Sequence, residues 1–271
     1  GVEEIPVLDK NGNPKTRSHG SIRTKKVKQK ELQIKYDWVG FKKYKRVIND
    51  QEYQDAAKFT FIYVIVSVVI EIILGLFLAF LFNRRIYGRG FMRSLMILPI
   101  FATPFAIGFM FFTILFEISG PLAWMGIPFL SNHNWAPFSV MLVDIWQWTP
   151  FCFLVFLAAL QGIPDDLIEA ATLDTKSAYK IWTSVILPLL QPIIVLVILL
   201  RVAESAKLYD YIASLTKGGP GTATQSVSFL VFNKAFKMND FGYASAGSFL
   251  MLIVVMVFVM LFFTRLRKTY E

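Results

Sequence analysis

Five stretches of this chain are long and apolar enough to cross a lipid bilayer, and that feature excludes most other folds. A hydrocarbon core about 30 Å thick takes about 20 residues of helix. The stretches are Phe59 to Phe82, Met92 to Phe116, Pro137 to Leu160, Leu187 to Val202 with a polar extension, and Tyr243 to Phe263. Within hydrocarbon every backbone N–H and C=O must find a partner in the protein, so the spans are read as helices. The expected fold class is all-α, a polytopic helical membrane protein. Composition agrees: 55% hydrophobic against 17% charged residues leaves more apolar surface than 271 residues can hide in one ordinary soluble core.

The net charge of +9 does not point to nucleic acid, because Lys and Arg fall mainly in the first fifty residues and in short segments flanking the apolar runs. That spacing is the signature of membrane topology. The connection Asn83-Arg84-Arg85-Ile86-Tyr87-Gly88-Arg89-Gly90, with Arg93 beyond it, and the terminal Arg265-Leu266-Arg267-Lys268 are placed on the cytoplasmic side. The connection from Glu117 to Ala136 has no Lys or Arg and carries Trp124 and Trp135, as an outer loop with interfacial aromatics would. The segment around Glu169 then faces the cytoplasm. Five spans leave the basic N-terminal segment outside, against the usual bias, and residue 1 is Gly; a further span upstream is expected. The resulting division is an extracytoplasmic segment 1–55, a transmembrane domain 56–266 with a cytoplasmic loop 161–186, and a tail 267–271. Asp9 to Pro14 reads as a turn within an otherwise unpatterned start.

A single cysteine, Cys152, and two distant histidines, His19 and His133, give neither a disulfide framework nor a zinc site. Five prolines, at 99, 104, 150, 188 and 192, lie in or beside the spans and remove backbone hydrogen bonds there, so neighbouring helices must satisfy the freed carbonyls. Ionisable residues near the membrane are costly unless paired or wet. Arg201, Glu204 and Lys207 fall at the spacing of one helical face, and either line a hydrated route or form a structural Arg201–Glu204 pair with Lys207 snorkelling to the interface. Glu71 and Asp144 stand equally between a pathway role and an interhelix contact.

After the third span comes Ile163-Pro164-Asp165-Asp166-Leu167-Ile168-Glu169-Ala170-Ala171-Thr172-Leu173-Asp174-Thr175, then Val185-Ile186-Leu187-Pro188. Pro164 suits a first helical turn, and Asp165 and Asp166 favour the positive end of the helix dipole. A short helix of this kind either docks on a partner or is an ordinary amphipathic surface helix. The stretch resembles the EAA loop of binding-protein-dependent ABC importer permeases, with Glu169-Ala170-Ala171, Asp174, and Leu187-Pro188 in register; Thr175 stands where that family has Gly. Four other stretches are similar to the maltose and glycerol-3-phosphate branch of carbohydrate importers: Trp38 to Tyr44, Arg89 to Arg93 with Leu98-Pro99, Asp144 to Phe151, and Leu215 to Gly221.

The resemblance implies a permease of the type I ABC importer fold that is not itself an enzyme. Glu169, Ala170, Ala171, Asp174 and Thr175 would form a coupling helix on a cytoplasmic ATPase dimer, which would hold ATP and Mg. Thr175 puts the turn in question, since Gly tolerates positive φ and Thr does so less readily. Further implied partners are a second permease subunit, an extracytoplasmic binding protein, membrane lipid, and an oligosaccharide or acidic saccharide. Asp144, Arg201, Glu204, Lys207, Tyr209, Asp210 and Tyr211 are the candidate path residues, and Gly218, Gly219, Pro220 and Gly221 shape an outer loop. No Gly-Lys-Ser/Thr follows those glycines, so they make no phosphate cradle. The rival readings are an ion- or proton-coupled carrier with Glu71, Asp144 and Glu204 as relay, and a membrane scaffold or receptor.

Overall fold

The computed structural model describes residues 2–6, 24–28, 40–84 and 87–270, with side chains in the last helix described as far as 264. The chain divides into two units, Gly1–Gly40 and Phe41–Glu271. The first holds two short strands. Its strands β1 (Val2–Pro6) and β2 (Thr24–Lys28) pair antiparallel, in a register that sets Glu4 opposite Lys26. The expected turn at Asp9 to Pro14, together with Arg85, Ile86 and the Trp38-Val39 start of the first similar stretch, lies outside the described residues.

All the regular secondary structure among the described residues of the second unit is helical. Helix α1 (Lys42–Ile48) leads into α2 (Gln51–Asn83), whose N-terminus is capped by the Asp50 carboxylate accepting from the Glu52 N–H. Four continuous helices have the length and composition to span a membrane: α2, α5 (Trp135–Gln161), the run Ala178–Ser205, and Phe241–Thr264 within α10 (Phe241–Tyr270). The run Ala178–Ser205 comprises α7 (Ala178–Ile181), a π-helical turn Trp182–Ile186, and α8 (Leu187–Ser205).

The second expected span is not one straight helix. It breaks into α3 (Arg89–Ile97) with a 3₁₀ turn Leu98–Phe101, and α4 (Pro104–Leu115), the two bent by 100°. Pro104 begins α4, where its missing N–H costs nothing, and Thr103 Oγ1 accepts from the Ala106 N–H. The carbonyl freed at Ala102 is bound by the side chain of Gln147 at 2.9 Å. A neighbouring helix thus supplies the hydrogen bond that a bend within hydrocarbon requires.

Helices α2 and α5 form the central pair. Along α2 the buried residues Ser67, Glu71, Gly75 and Ala79 recur every fourth position and make a small or polar stripe on a helix that is apolar elsewhere. Small residues let two backbones approach closely. At Gly75 an added Cβ would lie 2.5 Å from Cys152 Cβ and 3.0 Å from its backbone carbonyl carbon.

The buried core records which helix ends share a side. Ala79 and Phe82 of α2 pack with Leu157 and Leu160 of α5 and Leu190 of α8, and Phe80 meets Trp182 edge-on at 5.1 Å. Arg93 donates to the Phe82 carbonyl at 2.8 Å, so the basic connection and loop 161–186 meet at this end. At the other end Tyr63 and Val64 pack with Val140, Val143, Tyr211 and Ile212. The Glu117–Ala136 connection closes on itself there: the Glu117 carboxylate accepts from the backbone of Leu130 and Ser131 at 2.6 and 2.7 Å. A polar clamp holds α1, α2 and α10 together, with Asp240 accepting from Lys43 and Arg46 and Lys234 paired to Glu52.

Candidate functional site

Three of these helices bring ionisable side chains to one point. Arg201 of α8 donates from Nε to Glu71 Oε2 at 2.6 Å and from Nη2 to Glu71 Oε1 at 2.9 Å. Nη2 also reaches both oxygens of Asp144 at 3.3 Å and Ser205 Oγ, one helical turn on, at 2.9 Å. The guanidinium lies over the Trp148 ring, 4.5 Å from its centroid. Arg201, Glu71 and Asp144 are all within 2% of complete burial. One planar cation therefore joins α2, α5 and α8, the fork of Arg matching the Glu71 carboxylate in two parallel bonds.

The expected Arg201–Glu204 pair is not formed. Glu204 instead accepts from Lys207 at 2.8 Å, both side chains more than half exposed. Helical spacing alone put Arg201 and Glu204 together; the strong pull on Arg201 came from carboxylates 130 and 57 residues away. The relay proposed for an ion-coupled carrier is likewise absent as a chain, because Glu71 and Asp144 share Arg201 while Glu204 sits at the surface on Lys207.

Above this charge centre opens a cavity of about 290 Å³ lined by all seven candidate path residues, Asp144, Arg201, Glu204, Lys207, Tyr209, Asp210 and Tyr211. Tyr63, Trp148 and Ser205 also line it and were missed in the sequence. A signal for them existed. Tyr63, Ser67 and Glu71 keep one stripe of α2, Ser205 is one turn from Arg201, and Trp148 is one turn from Asp144. From Trp148 a hydrogen-bond chain runs to the bend: Trp148 Nε1 donates to Tyr211 Oη at 3.1 Å, Tyr211 to Gln147 Oε1 at 2.7 Å, and Gln147 to the Ala102 carbonyl. The broken span, the central helix and the outer loop are thereby tied at the cavity wall.

Gly218, Gly219, Pro220 and Gly221 do not line the cavity. They form a tight turn in which Gly218 has φ +87° and rests on Phe229, whose ring an added Cβ would approach to 2.9 Å. Thr224 Oγ1 donates to the Gly219 carbonyl at 2.8 Å, and the Phe229 ring lies 5.9 Å from that of Tyr209. The turn therefore bears on the cavity through two aromatic rings.

The acidic-alanine stretch is a helix, α6 (Asp165–Asp174), with no buried residue. Pro164 stands at its N-cap with ψ +135°, one residue before the first turn expected for it. Thr175 at the C-cap has φ −152°, extended backbone open to any residue, so the turn does not require Gly. Leu173 is 89% exposed, a large apolar group turned to water at the helix end. Ser177 then caps α7, and the run Ala178–Ser205 carries the chain from this surface to Arg201.

The sequence profile of the family described as "Binding-protein-dependent transport system inner membrane component" matches residues 71–271, a span that contains Glu71, Asp144, α6 and Arg201. The chain belongs to this family. Among curated relatives, this permease component is 36% identical over 233 residues to the trehalose/maltose transport system permease protein MalF of Thermococcus litoralis, covering 83% of this chain and 78% of that one. It is 30% identical over 246 residues to the multiple sugar-binding transport system permease protein MsmF of Streptococcus mutans, covering 89% and 84%. In fold it is similar to a chain of a bacterial ABC transporter involved in the import of the acidic polysaccharide alginate, with a TM-score of 0.78 over 88% of this chain and 86% of that one, at 22% identity.

Proposed function

We propose that this permease component is the translocation subunit of an ATP-driven saccharide importer in the cytoplasmic membrane, with the cavity on the sugar's path. One observation carries the reading. The helical run Ala178–Ser205, which follows the exposed α6 after the three residues 175–177, carries Arg201 at the cavity floor. Trp182 and Arg201 are 19 residues apart on it, about 28 Å at 1.5 Å per residue. On this reading a push on α6 reaches the site of access through the short link 175–177 and the run Ala178–Ser205.

On this reading Glu169, Ala170, Ala171, Asp174 and Thr175 rest on an ATPase dimer, which holds ATP and Mg. An outer binding protein delivers the saccharide, whose hydroxyls meet Asp144 and Asp210 and whose ring faces meet Tyr209 and Trp148. The names of the curated relatives support the saccharide class. A second cleft, about 700 Å³ and largely apolar, between the end of α8, the helix α9 (Val227–Phe232) and α10, supports contact with a second permease subunit. The bent α3–α4 pair would supply a hinge for alternating access.

The test is Glu169→Lys in the complex purified with its neighbouring subunits. Glu169 is exposed, so the fold tolerates the change. Saccharide-stimulated ATP hydrolysis is expected to fall at least about tenfold, which corresponds to about 1.4 kcal/mol of lost coupling. Unchanged stimulation would refute the docking of α6.

A further inference from the structure

The charges lining the cavity decide which saccharides it accepts, a deduction that rests on the transport reading above. Five ionisable residues line it, the carboxylates of Asp144, Glu204 and Asp210 against the cations Arg201 and Lys207. Those two cations were what left room for an acidic saccharide. In the folded chain Arg201 is spent, while Lys207 pairs with Glu204 where both side chains are more than half exposed. Arg201 is committed to Glu71, Asp144 and Ser205, and Lys207 to Glu204. Behind the wall Glu71 adds a further carboxylate. Among the described residues Asp210 has no ion pair and no side-chain hydrogen bond; only its backbone carbonyl is engaged, by Ser214 Oγ.

We infer that the cavity selects neutral saccharides and rejects those bearing a carboxylate or phosphate. A carboxylate is acceptor-only and is satisfied by the O–H donors of a neutral sugar. A uronate or sugar phosphate brings acceptors of its own and a like charge. It would meet Asp210 and Asp144 in a part-buried site where Coulomb repulsion is stronger than in water. Drawing Arg201 to it would break the guanidinium away from two carboxylates, which leaves those buried and uncompensated. Discrimination by such a repulsive element needs no optimised contact to the favoured sugar.

The experiment measures binding of maltotriose and of the same trisaccharide oxidised to a terminal uronate. It uses the intact transporter complex in nanodiscs, with and without a non-hydrolysable ATP analogue, and import of both sugars into proteoliposomes with the binding protein supplied. Wild type is expected to bind the neutral sugar at least about tenfold more tightly, about 1.4 kcal/mol. Asp210→Lys shifts the uronate-to-neutral ratio upward by at least the same factor, and Asp210→Asn, which disturbs folding least, shifts it in the same direction by less. Equal binding of the two sugars by wild type, or a ratio that neither variant moves, overturns charge selection while saccharide import itself still stands. No binding and no import of either sugar would overturn the transport reading and this one together.

Discussion

Removing Arg201 tests how the three central helices are held together. Arg201→Met keeps much of the side chain's length and deletes the guanidinium, leaving the Glu71 and Asp144 carboxylates facing one another at 0% and 2% exposure. Breaking a buried pair by removing one partner costs about 3–5 kcal/mol, because the remaining charge is uncompensated. Two orphaned carboxylates put this site at the upper end. For a domain of this size each kcal/mol lowers Tm by about 2–4 °C, so a fall of about 6–20 °C is expected. Thermal unfolding of the detergent-solubilised protein, followed by loss of the monodisperse peak on size exclusion, reads it directly. The triple variant Arg201→Met, Glu71→Gln, Asp144→Asn removes all three charges and should recover most of the loss, since apolar or neutral replacement of a whole buried cluster is often tolerated. Glu71→Gln alone should cost more than Asp144→Asn alone, because Glu71 holds the guanidinium in two bonds of 2.6 and 2.9 Å and Asp144 at 3.3 Å. A Tm within 2 °C of wild type for Arg201→Met, roughly 1 kcal/mol or less, would refute the argument. So would a triple variant no better than the single.

Gly75→Leu should destabilise the α2–α5 pair by about 1–3 kcal/mol or more through overpacking, since even a Cβ would lie 2.5 Å from Cys152 Cβ; the same Tm measurement checks it, and a neutral result would deny the close approach. The Asp240 carboxyl is held below the usual carboxylate range by the Tyr243 N–H, against a small opposing effect of burial, and by Lys43 and Arg46. Its stabilisation is therefore fully present above its unfolded pKa, about 3.9, and lost as pH falls through the lower folded value. The Tm gap between wild type and Asp240→Asn should hold constant from neutral pH to about pH 5 and close below about pH 4; a gap that persists in acid would contradict the assignment.

The existence of the spans was legible because bilayer thickness fixes a length of apolar sequence. So was α6, whose acidic start and alanines are local signals. The two-stranded pairing at the start was not legible, because the strands are too short and charged to show an alternating pattern. Pro99 and Pro104 signalled a bend in the second span, but its 100° angle depends on Gln147 being in place to satisfy the Ala102 carbonyl.

By itself the sequence determined that this chain crosses a membrane several times and which residues are too polar to meet lipid. Only the tertiary structure decided how those polar residues are spent. Hydrophobic periodicity reports which face of a helix turns inward, and is silent on which helix lies opposite it. Arg201 could be seen near Glu204 in sequence, yet a buried guanidinium goes where fixed, desolvated carboxylates await it, and those stand on α2 and α5. That choice made Arg201 a structural cation and left carboxylates outnumbering cations on the cavity wall.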